Sequence, residues 1–124
     1  MINSYKELIV WQKARGLVIE VYTITACFPK DETYGLSSQM RRCAISIPSN
    51  IAEGRYRSTK KDFSHFLTMA FGSGAELETQ IDIAKELYAD RNIDYVKADK
   101  LLEEVMRMLN RIKGIFPEAC LVSV

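Results

Sequence analysis

The sequence predicts an all-α protein, an antiparallel up-down-up-down four-helix bundle. Its apolar residues fall into four blocks, and in each block they recur in alternating steps of three and four, the spacing of a helix-packing seam. The segments between the blocks are short, so neighbouring helices must run antiparallel. No strand-like segments remain for a sheet. At 124 residues without a Gly/Ser/Pro-rich linker, the chain has the size of one domain.

The first helix is expected from about Tyr5 to Phe28, where Pro29 prevents continuation. Its seam consists of Trp11, Ala14, Val18, Val21, Thr25 and Phe28. A second apolar row, Val10, Leu17 and Ile24, lies beside it. Such an extra row either enlarges the core of the chain or packs against another subunit, and we favour the second because helices two and four also carry apolar residues beside their seams.

The second helix is expected over about 34–55, and the pattern inside it needs an explanation. Its seam is Leu36, Met40, Cys43, Ile47, Ile51 and Gly54, although "AISIP" alternates like a strand. Pro48 lacks an N–H and its ring opposes the carbonyl of Ala44, so we predict a kink at Pro48. Ser46, Ser49 and Asn50 lie where they could bond the freed carbonyls, which is a structural role. Gly54 is expected to end or loosen the helix.

The third helix begins at "STKKDF", where Ser58 or Thr59 can cap it. Its seam is the most regular of the four and comprises Phe63, Leu67, Ala70, Gly74, Leu77, Ile81, Ala84 and Tyr88. The fourth helix follows Asp94, a candidate N-cap, and its seam is Ala98, Leu102, Val105, Leu109, Ile112 and Phe116. The bundle is therefore expected to occupy residues 1–116, with 117–124 as a C-terminal tail.

Composition and short motifs argue against several classes of protein. The chain is 48% hydrophobic and 27% charged, as in globular proteins. It has no run near the roughly 20 apolar residues that cross a bilayer, and "LIVW" is too short for a secretory signal. A cytoplasmic protein that binds no membrane is expected. Cys27, Cys43 and Cys120 form no C-x-x-C motif, so reduced and mostly buried thiols are expected.

No grouping of residues predicts catalysis, a metal or a cofactor. His65 is the only histidine, which leaves neither a Ser-His pair nor the repeated Glu-x-x-His motif of helical metal sites. "GSGAELE" (72–78) lacks the lysine and the preceding strand of a phosphate-binding loop, and its small residues are better explained by close helix packing. We therefore expect a protein that is not an enzyme.

Charge is distributed unevenly along the chain. Residues 76–104 hold nine acids against four bases, and here a solvated acidic face is the plain explanation, with contact to a basic partner as the alternative. Residues 41–61 hold six bases against one acid, a net charge of +5. With Tyr56 and Phe63 nearby, these bases could bind nucleic acid rather than only solubilise a loop. The candidate nucleic-acid-binding residues are Arg41, Arg42, Arg55, Arg57, Lys60 and Lys61.

Three stretches resemble a known family. They are "VWQKA" (10–14), "FPKDETYGLSSQMRRCAISIPSNIAEG" (28–54) and "FGSGAELETQIDIAKEL" (71–87), and the chain is similar over most of its length to the four-helix-bundle proteins of intervening sequences in bacterial 23S ribosomal RNA genes. Cys43 replaces an expected alanine, and Gly74 replaces a larger apolar residue. The resemblance implies a homopentamer without established enzymatic activity. Accessory proteins of diversity-generating retroelements, similar in fold, engage a reverse transcriptase and nucleic acid.

Together these features predict a non-catalytic, oligomeric protein that binds nucleic acid, in particular RNA. The alternative is a scaffold for a dedicated protein partner such as a reverse transcriptase, in which the basic residues serve subunit packing. The first prediction depends on the basic segment, and the second on the acidic face and the additional apolar rows.

Overall fold

The computed structural model describes residues 4–32, 34–57 and 59–113, and within these ranges it contains helices and no strands. The four α-helices are α1 (Ile9–Thr25), α2 (Leu36–Tyr56), α3 (Lys60–Leu87) and α4 (Val96–Lys113). Single turns of 3-10 helix precede α1 and α2, at Tyr5–Glu7 and Lys30–Glu32. The prediction of an all-α four-helix bundle is confirmed. The expected boundary at 116 and the tail 117–124 lie outside the described residues.

Polar side chains cap three of the helices. The Thr59 hydroxyl accepts a hydrogen bond of 3.1 Å from the N–H of Asp62 and caps α3, as the sequence allowed. The Asp94 carboxylate accepts from the N–H of Val96 at 2.9 Å. At the start of α2 the cap comes from Glu32, whose carboxylate accepts from the N–H of Leu36 at 3.1 Å. Each bond satisfies a backbone donor that the first turn of a helix leaves unpaired.

The start of α2 lies against the end of α1, and the end of α2 lies near the start of α1. The Arg41 side chain at the start of α2 bonds Thr25 at the end of α1, and the ring of Tyr5, just before α1, lies 5.7 Å from that of Tyr56 at the end of α2. Helix α3 packs against α2 and α4, and α4 also packs against α1. This is the geometry of antiparallel neighbours around one core.

The buried core follows the predicted seams and corrects one expectation. In α3 all seam residues from Leu67 to Tyr88 are buried, and Phe63 is half-buried. In α1 the row expected to favour a subunit contact is instead the deepest: Val10, Leu17 and Ile24 are all buried, while Trp11 and Val18 are half-buried. That row therefore enlarges the core of the single chain and gives no argument for association.

Helix α2 continues through Pro48. The Asn50 side-chain amide donates to the carbonyl of Ser46 at 2.8 Å, and the Ser46 hydroxyl donates to the carbonyl of Cys43 at 2.7 Å. The same hydroxyl lies 2.7 Å from the hydroxyl of Ser73 on α3. These bonds reach the carbonyls of Cys43 and Ser46 and tie α2 to α3, which is a structural role. A bond to the carbonyl of Ala44, the one that Pro48 leaves free, stays a prediction. A kink at Pro48 stays a prediction, and it is compatible with a helix that continues through the proline.

Gly54 has a different role from the one that the sequence predicted. Helix α2 does not end there but continues to Tyr56. Gly54 is buried, and a Cβ atom added to it would lie 2.9 Å from Cβ of Phe66 and 3.3 Å from Cδ1 of Phe63. The missing side chain therefore allows α3 to pack directly against the end of α2.

Two further expectations concern cysteines and membranes. Cys43 is buried, as predicted, but Cys27 is exposed, so the expectation of mostly buried thiols is wrong for Cys27, and Cys120 lies outside the described residues. Among the described helices, none is both long and apolar enough to cross a bilayer.

Candidate nucleic-acid interface

The structure divides the six candidate cations between the two ends of α2. Arg41 and Arg42 lie in its second turn. Arg55, Arg57, Lys60 and Lys61 surround the connection from α2 to α3, and we call these four residues the basic turn. With a rise of about 1.5 Å per residue, roughly 21 Å of helix separates Arg41 from Arg55. The six cations thus form two separate groups within one chain rather than one continuous groove.

Arg41 is engaged in packing α2 against α1. Its Nε donates to the Thr25 hydroxyl at 2.8 Å, and its guanidinium carbon lies 4.6 Å from the centre of the Tyr22 ring. The side chain is half-buried. A guanidinium that is stacked on a ring and bonded to a hydroxyl on the next helix contributes to stability and has less freedom to contact a phosphate.

Arg42 lies on the solvent side of the same helix turn. Consecutive helical residues point about 100° apart, so Arg42 projects away from α1 while Arg41 lies against it. Arg42 is exposed and forms no ion pair with any residue in the described ranges. It is exposed to a partner, but it lies at the opposite end of α2 from the basic turn.

The two arginines of the basic turn are both partly committed. Arg57 forms an ion pair of 2.7 Å with Glu53, one helix turn earlier, and its guanidinium lies 4.9 Å from the centre of the Phe66 ring. Arg55 is half-buried. Arg57 is therefore exposed, but part of its positive charge is already neutralised by Glu53.

Lys60 and Lys61 are the most accessible cations of the basic turn. Both are exposed in the first turn of α3, and neither forms an ion pair within the described part of the chain. The first turn of a helix carries the positive end of the helix dipole, which favours acidic residues and disfavours lysines. Asp62 is the only acid in that turn. The placement of two lysines at a positive helix end creates a local potential that attracts anions.

Tyr56 adds an accessible aromatic ring to the basic turn. It is the last residue of α2 and is 79% exposed, with its ring near that of Tyr5. The sequence indicated Phe63 as the second aromatic residue, but Phe63 is half-buried against the core and Phe66 is the ring under Arg57. Tyr5 could not be foreseen, because it comes from the other end of the chain.

The four residues expected to shape α2 lie apart from the basic turn, except for Gly54. Pro48 and Ser49 line a groove of about 440 Å³ between α1 and α2, whose floor is mostly apolar. Asn50 lies on the α3 side of α2, where it bonds the Ser46 carbonyl. Gly54 sets the close approach of α3, and so it positions Lys60 and Lys61 relative to Tyr56.

Of the remaining reactive groups, Cys43 lies near the start of α2, and His65 lies beside Phe66, the ring under Arg57 of the basic turn. Burial, and then the nearby Glu76 carboxylate, raise the pKa of the Cys43 thiol to about 12, and the thiol donates to the carbonyl of Ser73 at 3.0 Å. His65 is exposed with its ring 5.5 Å from that of Phe66. Over the described ranges, no three His, Cys, Asp or Glu side chains are grouped to hold a metal ion.

Comparison with known proteins agrees with the fold and with the resemblance of the sequence motifs. The family described as 23S rRNA-intervening sequence protein matches residues 6–111, which include all four helices nearly to their ends. A search of curated proteins finds no match. Because the family match covers most of the chain, the conclusion is that the chain belongs to the 23S rRNA-intervening sequence protein family.

Proposed function

We propose that this protein is a non-catalytic, oligomeric nucleic-acid-binding module of the cytoplasm, and that its ligand is single-stranded RNA. The observation that carries the proposal is the basic turn, where Lys60 and Lys61 lie at the positive end of α3 without an ion pair to any described residue, and the exposed Tyr56 ends the preceding helix. Phosphates would contact the lysines and a base would stack on the tyrosine. This combination of cations and an aromatic ring is typical of proteins that bind single strands.

The structure favours the basic turn over the Arg41 end of α2 as the binding surface. Arg41 already bonds Thr25 and stacks on Tyr22, so an RNA contact would have to replace bonds that hold α1 to α2. Lys60 and Lys61 form no ion pair with a described residue that RNA would have to replace. We therefore narrow the candidate set to Lys60, Lys61 and Tyr56, with Arg55 and Arg57 as supporting charges.

One basic turn per chain is a small site, and oligomerisation would compensate for its size. The resemblance of the sequence implies a homopentamer, in which five copies of the basic turn would act on one RNA. Linked weak sites bind far more tightly than single ones without any new contact. Sedimentation of the purified protein at 1 to 100 µM tests this directly, and a monomer throughout that range would contradict it.

The test of binding is its dependence on salt. Fluorescence anisotropy with a labelled single-stranded RNA of about 20 nucleotides should give a log affinity that falls linearly with log salt concentration, because bound cations release counterions from phosphates. Lys60→Gln with Lys61→Gln should make that slope shallower by about one to two. Affinity that is absent at low salt, or that does not depend on salt, would refute the proposal.

A scaffold for a dedicated protein, such as a reverse transcriptase, is the second candidate. The scaffold hypothesis is favoured by the apolar groove between α1 and α2, because an apolar surface binds a protein better than it binds RNA phosphates. A pull-down after nuclease treatment distinguishes the two candidates. Recovery of one stoichiometric protein and no nucleic acid would favour the scaffold.

A further inference from the structure

Two exposed faces of the bundle combine apolar side chains with charges of opposite sign. The first is the α1/α2 groove, an apolar depression of about 440 Å³ lined in part by Trp11, Arg15, Val18, Ile19, Ile45 and Pro48. The second is a row along the outside of α3, which we call the α3 ridge. It consists of Met69, Gly72, Glu76, Thr79, Ile83 and Glu86. We propose that the α3 ridge of one copy of this chain packs into the α1/α2 groove of a second copy.

The α3 ridge has the spacing of a packing seam although its residues are exposed, and its Glu76 carboxylate also lies near the Cys43 thiol of α2. Its six residues follow one another at steps of three, four, three, four and three, as in the buried seam on the other side of α3. All six are exposed, with Met69 at 43% and Ile83 at 44%. A long helix with a second seam facing solvent has a face suited to another helix pair.

Gly72 gives a separate indication on the same ridge. A glycine inside an exposed helix costs about 1 kcal/mol relative to alanine. Gly54 and Gly74 have packing reasons, since a Cβ atom would meet Phe66 in the first case and Met106 in the second. At Gly72, apart from the adjoining residues and backbone of its own helix, no atom of the described chain lies within 4 Å of such a Cβ. Close approach of a neighbouring backbone from another molecule would give this glycine a packing role.

The groove combines exposed apolar side chains with positive charge, whereas the ridge carries negative charge. Its floor carries exposed aliphatic side chains, among them Ile19 at 50% and Ile45 at 42%, which suit another protein surface better than RNA. Arg15 is the charged side chain that lines the groove, and Arg42 lies outside the lining, on the exposed side of α2. Neither arginine forms an ion pair with a described residue. The groove is therefore apolar with positive charge, and the ridge is apolar with the negative charge of Glu76 and Glu86.

The charges also determine the symmetry of the contact. Two grooves placed face to face would oppose arginines, and two ridges would oppose carboxylates, so like-with-like pairing is disfavoured. A groove that receives a ridge leaves one free groove and one free ridge at the ends of the pair. Repetition of this head-to-tail contact produces a ring, or a filament if the rotation does not close. The inference rests on the proposed oligomer and assigns its two surfaces.

Reciprocal charge reversal tests the assignment. The groove variant carries Arg15→Glu and Arg42→Glu, and the ridge variant carries Glu76→Lys and Glu86→Lys. Each alone has a ridge and a groove of the same sign, so each should dissociate at least tenfold more readily than the wild type. Mixed together, the acidic groove of one faces the basic ridge of the other, and sedimentation should show that association returns. The mixture should form pairs and larger alternating assemblies rather than the ring of five, because an odd ring would oppose like charges at one contact. Circular dichroism checks that each variant keeps its helices.

Gly72→Gln provides a second test that does not alter charge. A glutamine favours the helix and should leave the monomer at least as stable, but its side chain occupies the centre of the ridge. Association should weaken at least tenfold, whereas Lys97→Gln, at an exposed position of α4, should leave it unchanged.

The outcomes separate the assignment from the proposed function. A monomeric wild type overturns both the oligomer and the ridge contact. A wild-type oligomer that persists in both charge variants, or variants that stay dissociated when mixed, overturns the ridge contact and leaves the oligomer standing. Groove variants that lose RNA affinity while remaining associated would assign the groove to nucleic acid and also overturn this inference.

Discussion

The two ends of α2 carry similar charge and use it differently. At the start, Arg41 is fixed by a bond of 2.8 Å to Thr25 and by the Tyr22 ring, and Cys43 beside it is buried with its thiol bonded to Ser73. At the end, Tyr56 is exposed and Lys60 and Lys61 have no ion-pair partner in the described part of the chain. The number of cations in a segment therefore says little about binding until their contacts are known.

The largest difference expected between the two ends is chemical. Cys43 has a pKa raised to about 12, so only about one thiol in ten thousand is a thiolate at pH 8, and burial also blocks reagents. Two variants are compared, and both carry Cys27→Ser and Cys120→Ser. The first keeps Cys43, and the second replaces it by Cys43→Ala and gains a cysteine by Tyr56→Cys. Cys43 in the first should react with iodoacetamide at least a hundredfold more slowly than the new cysteine in the second. Mass spectrometry follows both reactions. Equal rates would show that the start of α2 is not closed.

The next largest effect concerns RNA affinity. Lys60→Glu with Lys61→Glu reverses two charges in the basic turn and should weaken RNA binding about a hundredfold at low salt. Acidic residues in the first turn of α3 complement the helix dipole, so the same variant should unfold at an equal or higher temperature. A variant that is more stable and binds less cannot be explained by misfolding. Unchanged affinity would remove both lysines from the interface.

A moderate loss of stability is expected at Gly54. Gly54→Ala places a Cβ atom 2.9 Å from Cβ of Phe66, close to the α3 backbone, so the structure must shift. We expect a net destabilisation of about 1 to 2 kcal/mol in urea unfolding, after the gain in helix propensity. Gly16→Ala is the matched control, since its Cβ meets Leu101 at an ordinary 3.6 Å and should stabilise by up to about 1 kcal/mol. If Gly54→Ala stabilised the protein as Gly16→Ala is expected to do, the close packing at Gly54 would be contradicted.

The smallest effect is expected at Arg41. Arg41→Ala removes one hydrogen bond and one cation–π contact and should cost about 1 kcal/mol of unfolding free energy. RNA affinity should change by less than twofold, because the side chain is committed to α1. Arg41→Lys keeps the charge and loses the planar stacking, so it should recover only part of the stability. A large loss of RNA affinity in Arg41→Ala would reverse the comparison between the two ends.

The sequence predicted the fold well because helical seams are local patterns. The steps from Leu67 to Tyr88 identified the buried face of α3, and Thr59 and Asp94 were recognised as caps. What the sequence could not predict was which of two parallel rows is deeper: in α1, Leu17 and Ile24 proved to be core although Trp11 and Val18 have the same spacing. That choice depends on the rotation of α1 against α2 and α4.

The candidate site was predicted in composition and not in geometry. All six cations could be identified from the sequence. Their separation could not, because Arg41 and Lys60 are held apart by a helix that continues through Pro48, and a proline usually breaks or bends a helix. The commitment of Arg41 to Thr25 and the closeness of Tyr5 to Tyr56 join residues distant in the chain. The packing reason for Gly54 likewise depends on where α3 returns.

Ultraviolet crosslinking most directly tests the claim that RNA binds at the basic turn. A uridine-rich single strand bound to the wild-type protein is irradiated, and the crosslinked peptides are identified by mass spectrometry. We expect crosslinks at Tyr56, the exposed ring at the end of α2 that precedes Lys60 and Lys61 in the chain. Crosslinks confined to Tyr22, which lies against Arg41 at the opposite end of α2, would contradict it.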